Sequence, residues 1–313
     1  MRILVTGGAG FIGSHTVDAL IRSGHEVSIL DNLSTGFREN IRRDATFFEV
    51  DITQAEDVDR AFEQFRPEVV VHLAAQMDVR ISTREPIFDA TVNLMGSLNI
   101  ILSSMNVGAR KIVYASSGGA VYGDPERLPV REDHSINPIS QYGITKHTVE
   151  HYLHLYERNH GLAFTVLRYP NVYGPRQNPK GEAGVVAIFA RRLLLGADCV
   201  IFGDGEQVRD YVFVDDVVAA NVRALTWGDG QVLNIGSGIG RSVNDIYTEL
   251  SSRLGVTRKP VHSDARIGEV GAIVLDPTRA GEALRWKPEV PFSQGVDRTI
   301  LHLQSLLAAG RLS

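Results

Sequence analysis

Short apolar runs and amphipathic stretches alternate through the first half of the chain. The runs Arg2–Thr6, Glu26–Leu30, Thr46–Val50, Val69–Leu73, Lys111–Ala115 and Phe164–Leu167 are rich in valine, isoleucine, leucine and phenylalanine. Most lack polar alternation, which predicts parallel strands buried on both faces. Between them, Phe11–Arg22, Ala55–Phe65, Ile87–Asn106 and Gln141–Asn159 repeat their apolar residues at helical spacing. This order predicts an α/β protein built on a doubly wound parallel sheet. After Tyr169 the pattern loosens. Helices are predicted at Val185–Leu195, Asp215–Ala224, Val243–Arg253 and Ser293–Leu307, with apolar runs at Cys199–Phe202 and Val232–Ile235, and Pro175, Pro179, Gly203 and Gly205 interrupt. We read residues 1–168 as the sheet domain, which also receives parts of 208–236. Residues 169–313 form a smaller interwoven α/β domain over the strand ends, where ligands of open sheets bind.

Composition narrows the partners. The 313 residues carry a formal net charge of −5, which gives no basic surface for nucleic acid. One cysteine, Cys199, excludes an internal disulfide and fits a reducing cytoplasm; as a residue it reads as small and buried. The apolar run at Arg2–Val5 meets a glycine cluster too soon for a signal peptide. No later segment reads as long and apolar enough to span a bilayer, so no membrane partner is expected. The ten histidines are scattered, and His147, His151 and His154 follow helical spacing without a carboxylate or cysteine pattern. That describes a solvated helix surface better than a metal site.

Gly7-Gly8-Ala9-Gly10-Phe11-Ile12-Gly13 lies between the first strand and the first helix. Read from Gly8 it gives G-x-G-x-x-G; read from Gly7 it gives G-x-x-G-x-x-G. Missing side chains let the backbone approach a pyrophosphate, whose charge then sits at the helix N-terminus. Asp31, eighteen residues beyond Gly13, ends the next strand and is placed for the adenosine ribose hydroxyls. A carboxylate there favours NAD over NADP, although Arg38, Arg42 and Arg43 are near in sequence.

With Gly7–Gly13, Asp31-Asn32-Leu33-Ser34-Thr35-Gly36, Asp51-Ile52 and His72-Leu73-Ala74-Ala75-Gln76 in that order, the chain resembles the UDP-glucose 4-epimerases of the extended short-chain dehydrogenase/reductase family. The similarity runs over essentially its whole length. It implies a Rossmann-type fold, with Phe11 and Ile12 at the pyrophosphate of NAD, Asp31 to Gly36 at the adenosine, and Asp51 and Ile52 beside adenine. It also implies Leu73, Ala74, Ala75, Gln76 and Asn93 around the cofactor's middle.

Gln141-Tyr142-Gly143-Ile144-Thr145-Lys146 places a tyrosine and a lysine four residues apart on one helical face. Bringing a phenol to neutrality takes roughly 4 kcal/mol. A lysine about 5 Å away supplies on the order of 3 kcal/mol at an effective dielectric near 20, and the positive nicotinamide ring of oxidised NAD is expected to supply the rest. The resemblance gives Tyr142 the acid/base role and adds the nicotinamide ribose to the duties of Lys146. The third member departs from the family: four residues before the tyrosine of Val121-Tyr122-Gly123, where a serine or threonine is usual, stands Gly118. Ser117 is the candidate substitute. Related 4,6-dehydratases carry Asp-Glu where this chain has Gly119 and Ala120, and UDP-glucuronate decarboxylases usually keep a glutamate there. Neither residue here can move a proton, which favours an epimerase.

The resemblance further implies Pro170 by the nicotinamide, Asn171 by the substrate phosphate, and Arg209 and Arg266 on the uridine diphosphate, a match of guanidinium to pyrophosphate geometry. Ile273 stands where the family often has a tyrosine that limits the sugar's 2-substituent. The expected activity is reversible 4-epimerisation of a UDP-hexose through a 4-keto sugar, with NAD recycled and a homodimer formed through Ile87–Asn106 and Gln141–Asn159. The alternatives are a UDP-N-acetylglucosamine or UDP-glucuronate 4-epimerase and, more distantly, a non-catalytic NAD(P)-sensing protein.

Overall fold

A computed structural model describes residues 1–179, 184–265 and 270–312. The first strands are β1 (Arg2–Thr6), β2 (Glu26–Asp31), β3 (Thr46–Glu49), β4 (Val69–His72), β5 (Lys111–Ser117) and β6 (Ala163–Tyr169). They are followed by β7 (Asn171–Tyr173), β8 (Val200–Phe202), β9 (Val208–Phe213), β10 (Gln231–Asn234), β11 (Gly240–Ser242), β12 (Val261–Ser263) and β13 (Ala272–Ile273). The helices among them are α1 (Phe11–Arg22), α2 (Ala55–Phe65), α3 (Val79–Arg84), α4 (Pro86–Ala90), α5 (Ser97–Asn106) and α6 (Gln141–His160). Beyond these lie α7 (Val185–Leu194), α8 (Val214–Ala224), α9 (Val243–Leu254), α10 (Thr278–Leu284) and α11 (Phe292–Ala308).

A seven-stranded sheet, parallel throughout, runs in the order β10-β6-β5-β4-β1-β2-β3. Its central strands are apolar on both faces because both are covered: Val17, Leu20, Val217 and Ala220 of α1 and α8 pack on one, Phe62, Ile100, Val149 and Leu153 of α2, α5 and α6 on the other. A separate core of Tyr173, Phe189, Phe213, Ile246 and Val296 lies under the later helices. There β9 pairs with β7, β11 and β13, and β8 pairs with β12. Helix α6 starts where Ser140 Oγ accepts the Gly143 N–H (3.1 Å), and it stops at Gly161, whose φ of 73° ends the helical path.

Where the structure departs from the sequence reading, the reasons are local. β7, β11, β12 and β13 are only two or three residues long, β9 (Val-Arg-Asp-Tyr-Val-Phe) has no clean alternation, and α3 and α10 each span under eight residues. None has a period long enough to read. The helix expected over Ile87–Asn106 is α4, a π-helical turn at Thr91–Gly96, and α5. Together these 21 residues form a helix long and apolar enough by length and composition to cross a membrane, contrary to expectation. Asp89, Asn93 and Ser97 on its inner face are buried and hydrogen-bonded within the protein, as in a core helix.

Helix α6 is tied to the sheet by a buried charge. Glu150 Oε1 accepts from Ser116 Oγ at 2.5 Å and Arg168 Nε at 3.1 Å; Oε2 accepts from Arg168 Nη2 at 2.6 Å and faces His147 Nδ1 at 3.1 Å. Arg168 Nη1 donates to the Tyr122 hydroxyl at 2.8 Å, which donates to Asn234 Oδ1 at 2.7 Å, so one network joins α6, β5, β6 and β10. Burial opposes the Glu150 charge, but hydrogen bonds from His147, Arg168 and Ser116 and the guanidinium charge overcome it and hold the carboxyl at about 2. A depressed carboxyl stabilises the fold fully above the ordinary glutamate range, and that contribution vanishes as pH falls toward 2. Glu150→Ala, which strands the Arg168 guanidinium, should lower unfolding free energy by about 3–5 kcal/mol near neutrality. Urea titrations would show it, and the gap to wild type should narrow as the acid range is entered.

Candidate active site

The chain leaves β1 through Gly7, whose φ of 67° is in the left-handed region. Its N–H bonds the Leu30 carbonyl at 2.8 Å, and a Cβ on Gly13 would stand 2.0 Å from the Gly7 oxygen. Turn and helix therefore touch through bare backbone. Gly8 instead faces Ile29 of β2, so the working register is Gly7, Gly10 and Gly13. No side chain caps α1, whose first-turn N–H groups at Phe11 and Ile12 suit an external anion.

Asp31 ends β2 beside this loop, its two oxygens accepting from Ala9 N (3.0 Å) and Leu33 N (2.8 Å). Burial pushes its carboxyl up, and these two bonds pull the other way. Leu33 has a φ of 58°, and Gly36 folds back until its missing Cβ would be 2.9 Å from Asp31 Oδ1. Ser34 donates to Asn32 Oδ1, Asn32 Nδ2 donates to Asp51 Oδ2 at 2.9 Å, and Thr35 is exposed alongside. Asp51 holds the turn at Thr53 and does not cap α2, whose first residue follows Gln54; Ile52 packs under Gly96. Arg38 is paired with Glu49 at 2.5 Å and Arg42 with Asp44 at 2.9 Å, so two of the three nearby arginines are committed elsewhere. The cradle fits NAD: a side-chain-free turn, an uncapped helix, and a carboxylate at the ribose position with two of its three neighbouring arginines engaged.

The segment after β4 is held from below. Thr6 Oγ1 accepts from the N–H groups of Leu73 and Ala74, both at 3.1 Å, and bonds His72 Nδ1 at 2.7 Å. Burial and the Lys146 charge bring His72 down to about 3, so it stays neutral. Beyond Ala75, Asn93 clamps the Gln76 backbone, accepting from its N–H and donating to its carbonyl, each at 2.8 Å. Thr6, His72 and Asp89, which bonds Asn93 Nδ2 at 2.9 Å, were not among the expected site residues. The legible signal was Asp89, a lone acid in the apolar run Ile87-Phe88-Asp89-Ala90.

Tyr142 and Lys146 emerge from α6 toward the end of β5. Lys146 is buried; its Nζ donates to the Ala115 carbonyl at 2.8 Å and lies 4.9 Å from the Tyr114 ring centre and 5.9 Å from that of Tyr142. Burial lowers Lys146 to about 8 against the opposing carboxylates of Asp89 and Glu150. Desolvation pushes Tyr142 up to about 12, with a hydrogen bond from Ser117 lowering it and Asp89 raising it. The protein's own groups thus leave the phenol above neutrality; the expectation gave Lys146 most of the lowering and the positive nicotinamide ring of oxidised NAD the rest.

At Gly118 a Cβ would stand 2.4 Å from Leu275 Cδ1, so a side chain there requires the buried Leu275 to move. The hydroxyl facing Tyr142 is that of Ser117. A Cβ on Gly119 would lie 3.9 Å from both Ser117 Oγ and Asn171 Oδ1, which leaves the gap between them open. Pro170 joins β6 to β7, where Asn171 begins. Across β9, Arg209 is the register partner of Ile273 on one side and Arg241 on the other. Its neighbour Asp210 does not pair with it but is buried against Ser237 and the Leu275 N–H. Ile273 is buried with Val121, Tyr122, Val130 and Leu275; bulk there is set by that cluster as much as by any ligand. Arg266 lies outside the described residues. His147 is not a solvated group, since Glu150 holds its Nδ1, and its Nε2 meets His151 Nε2 at 3.0 Å. No cluster of three metal-ligating residues occurs among the described residues.

A family profile described as the NAD dependent epimerase/dehydratase family matches residues 3–236. The chain is 45% identical over 306 residues to the UDP-glucose 4-epimerase of Mycolicibacterium smegmatis, with 96% of this chain and 97% of that one covered. It superposes on the Thermotoga maritima UDP-glucose 4-epimerase with UDP-glucose at a TM-score of 0.97 and 50% identity, covering 98% and 100%. A Thermus thermophilus UDP-glucose 4-epimerase complexed with NAD gives 0.92 at 43% identity, covering 96% and 98%. Gly13→Ala drives a methyl into the Gly7 carbonyl and should weaken NAD binding by at least about tenfold, the scale of a 1.4 kcal/mol loss. Calorimetric titration of the folded variant checks it.

Proposed function

The chain belongs to the NAD dependent epimerase/dehydratase family, and from that membership we propose that it interconverts UDP-glucose and UDP-galactose, inverting the hexose at position 4 while NAD stays bound. The observation that carries this reading is the grouping at the end of β5: Ser117, Tyr142 and Lys146 beside the Gly7–Gly13 cradle, with Gly119 and Ala120 offering no further acid. An epimerase needs one proton-transfer group and must not expel water; a dehydratase needs more.

Tyr142 accepts the proton of the sugar's 4-hydroxyl as that carbon is oxidised and returns it after the 4-keto sugar has turned its other face. Ser117 hydrogen-bonds the phenol and orients it toward the substrate hydroxyl. Lys146, fixed by the Ala115 carbonyl, supplies positive potential beneath the phenolate as it forms. Bound NAD supplies the hydride acceptor and donor, and its oxidised ring the positive charge that Lys146 alone does not provide. Arg209 and Asn171 hold the diphosphate end, and Arg266 and Ile273 complete the sugar-nucleotide pocket.

We place the division between cofactor and substrate regions at residues 1–168 and 169–313, with β10 returning to the first. A homodimer is supported by the exposed apolar side chains Ile87, Phe88, Met95 and Leu102 before β5 and Ile144 and Leu155 on α6. A cytoplasmic setting is supported by Cys199, buried and pushed up to about 11 by desolvation, which leaves it an unreactive thiol.

Two measurements test these readings. UDP-galactose should be converted to UDP-glucose without stoichiometric NADH, and Tyr142→Phe should lower kcat by roughly two to four orders of magnitude while retaining NAD; sustained NADH release would indicate a dehydrogenase instead. Leu155→Glu should shift the light-scattering mass from two chains to one, because a carboxylate cannot be buried unpaired in an apolar interface.

A further inference from the structure

Asp89 is entirely buried, yet it lies on the apolar helical run before β5 and belongs to none of the motifs that the glycine loop or the tyrosine–lysine pair define. A lone buried carboxylate is costly unless it is hydrogen-bonded, and here both oxygens are. Oδ1 accepts from Ser82 Oγ at 2.6 Å, Asn93 Nδ2 at 2.9 Å and Gln76 Nε2 at 3.4 Å; Oδ2 accepts from Thr145 Oγ1 at 2.8 Å. All four donors are neutral, so the carboxylate's charge is not matched inside its own shell. The Lys146 ammonium, one residue after Thr145, is a cation whose charged form this carboxylate favours.

Three of the four donors come from the two halves of the reaction site, and Ser82 comes from α3. Gln76 and Asn93 belong to the segment beside the cofactor's middle, and Asp89 reinforces the orientation of the Asn93 amide. Asp89 Oδ1 takes the second Nδ2 proton, in the same orientation that the Gln76 N–H and carbonyl require, so carboxylate and backbone hold the amide together. Thr145 lies between Tyr142 and Lys146 on α6. The π-helical turn at Thr91–Gly96 follows Asp89 directly and carries Asn93, a local irregularity of the kind that re-aims a side chain.

Resting on the epimerase reading, we propose that Asp89 is a positioning residue and counter-charge for the reaction, holding the cofactor-facing segment and the catalytic helix in one register and keeping Lys146 cationic. The charged and titratable groups facing Lys146 are Asp89 and Glu150, which favour its proton, with neutral His72 and the phenols of Tyr114 and Tyr142. Glu150 is already engaged by Arg168 and His147, which leaves Asp89 as the carboxylate without a cation of its own.

The test is the pH profile of kcat for UDP-galactose conversion in wild type, Asp89→Asn and Thr145→Val, with bound NAD measured in each. Asp89→Asn should lower kcat by roughly ten- to a hundredfold, the scale of a small misplacement of catalytic groups. It should also move the alkaline limb to lower pH, because Lys146 without its counter-charge releases its proton sooner. KM should change little. Thr145→Val keeps the carboxylate, so it should lower kcat without moving that limb. Wild-type kcat and an unmoved limb in Asp89→Asn would overturn the inference. If that variant does not fold, Thr145→Val decides, and an unchanged kcat there overturns it. An inactive wild type would instead sink the epimerase reading.

Discussion

The buried pair of Glu150 and Arg168 determines where everything catalytic can sit. Its carboxylate reaches Ser116 at the end of β5 and the guanidinium from β6, and that guanidinium holds Tyr122, which in turn holds Asn234 of β10. Because the pair has no room for error at these distances, α6 can dock on the sheet in one rotation only. In that rotation Tyr142 and Lys146, two turns and one turn before Glu150, come over the strand end. Such a pair adds little stability compared with an apolar contact of equal volume. Its value here is geometric.

A second constraint acts at the other strand ends. The side-chain-free contact between Gly7 and Gly13 brings α1 down onto β1, and Thr6 uses its hydroxyl to hold the backbone of Leu73 and Ala74 from β4. Parallel strands deliver all these groups to a single edge, which is why residues far apart in the chain share one cavity rim.

The sheet was readable because its strands are apolar runs long enough to have a period, and the glycine turn because backbone geometry there tolerates no substitute. Tyr142 and Lys146 were singled out by their spacing only because it follows a dinucleotide turn. The smaller region was not, since its strands last two or three residues and take their form from pairing with β9. Nor was the substitution of Ser117 for the expected hydroxyl decidable, because the reason lies in Leu275, distant in sequence but in the way of any side chain at Gly118. The electrostatics were only partly legible for a related reason. Helical spacing sets which face Lys146 shares with Tyr142, but not that its ammonium also donates to the Ala115 carbonyl.

The edge strand β10 carries a consequence for how the molecule is made. It pairs only with β6, yet the ribosome delivers it after β7, β8, β9 and α8 have all emerged. Until then β6 presents a row of unpaired amide and carbonyl groups, and Asn234, which closes the Arg168–Tyr122 chain, has not arrived. The nascent first half is thus an open template that must be kept from pairing with a neighbouring copy during synthesis. Completion of the sheet therefore waits until β7, β8 and β9 have been made, whatever the boundary between the two regions in the finished protein.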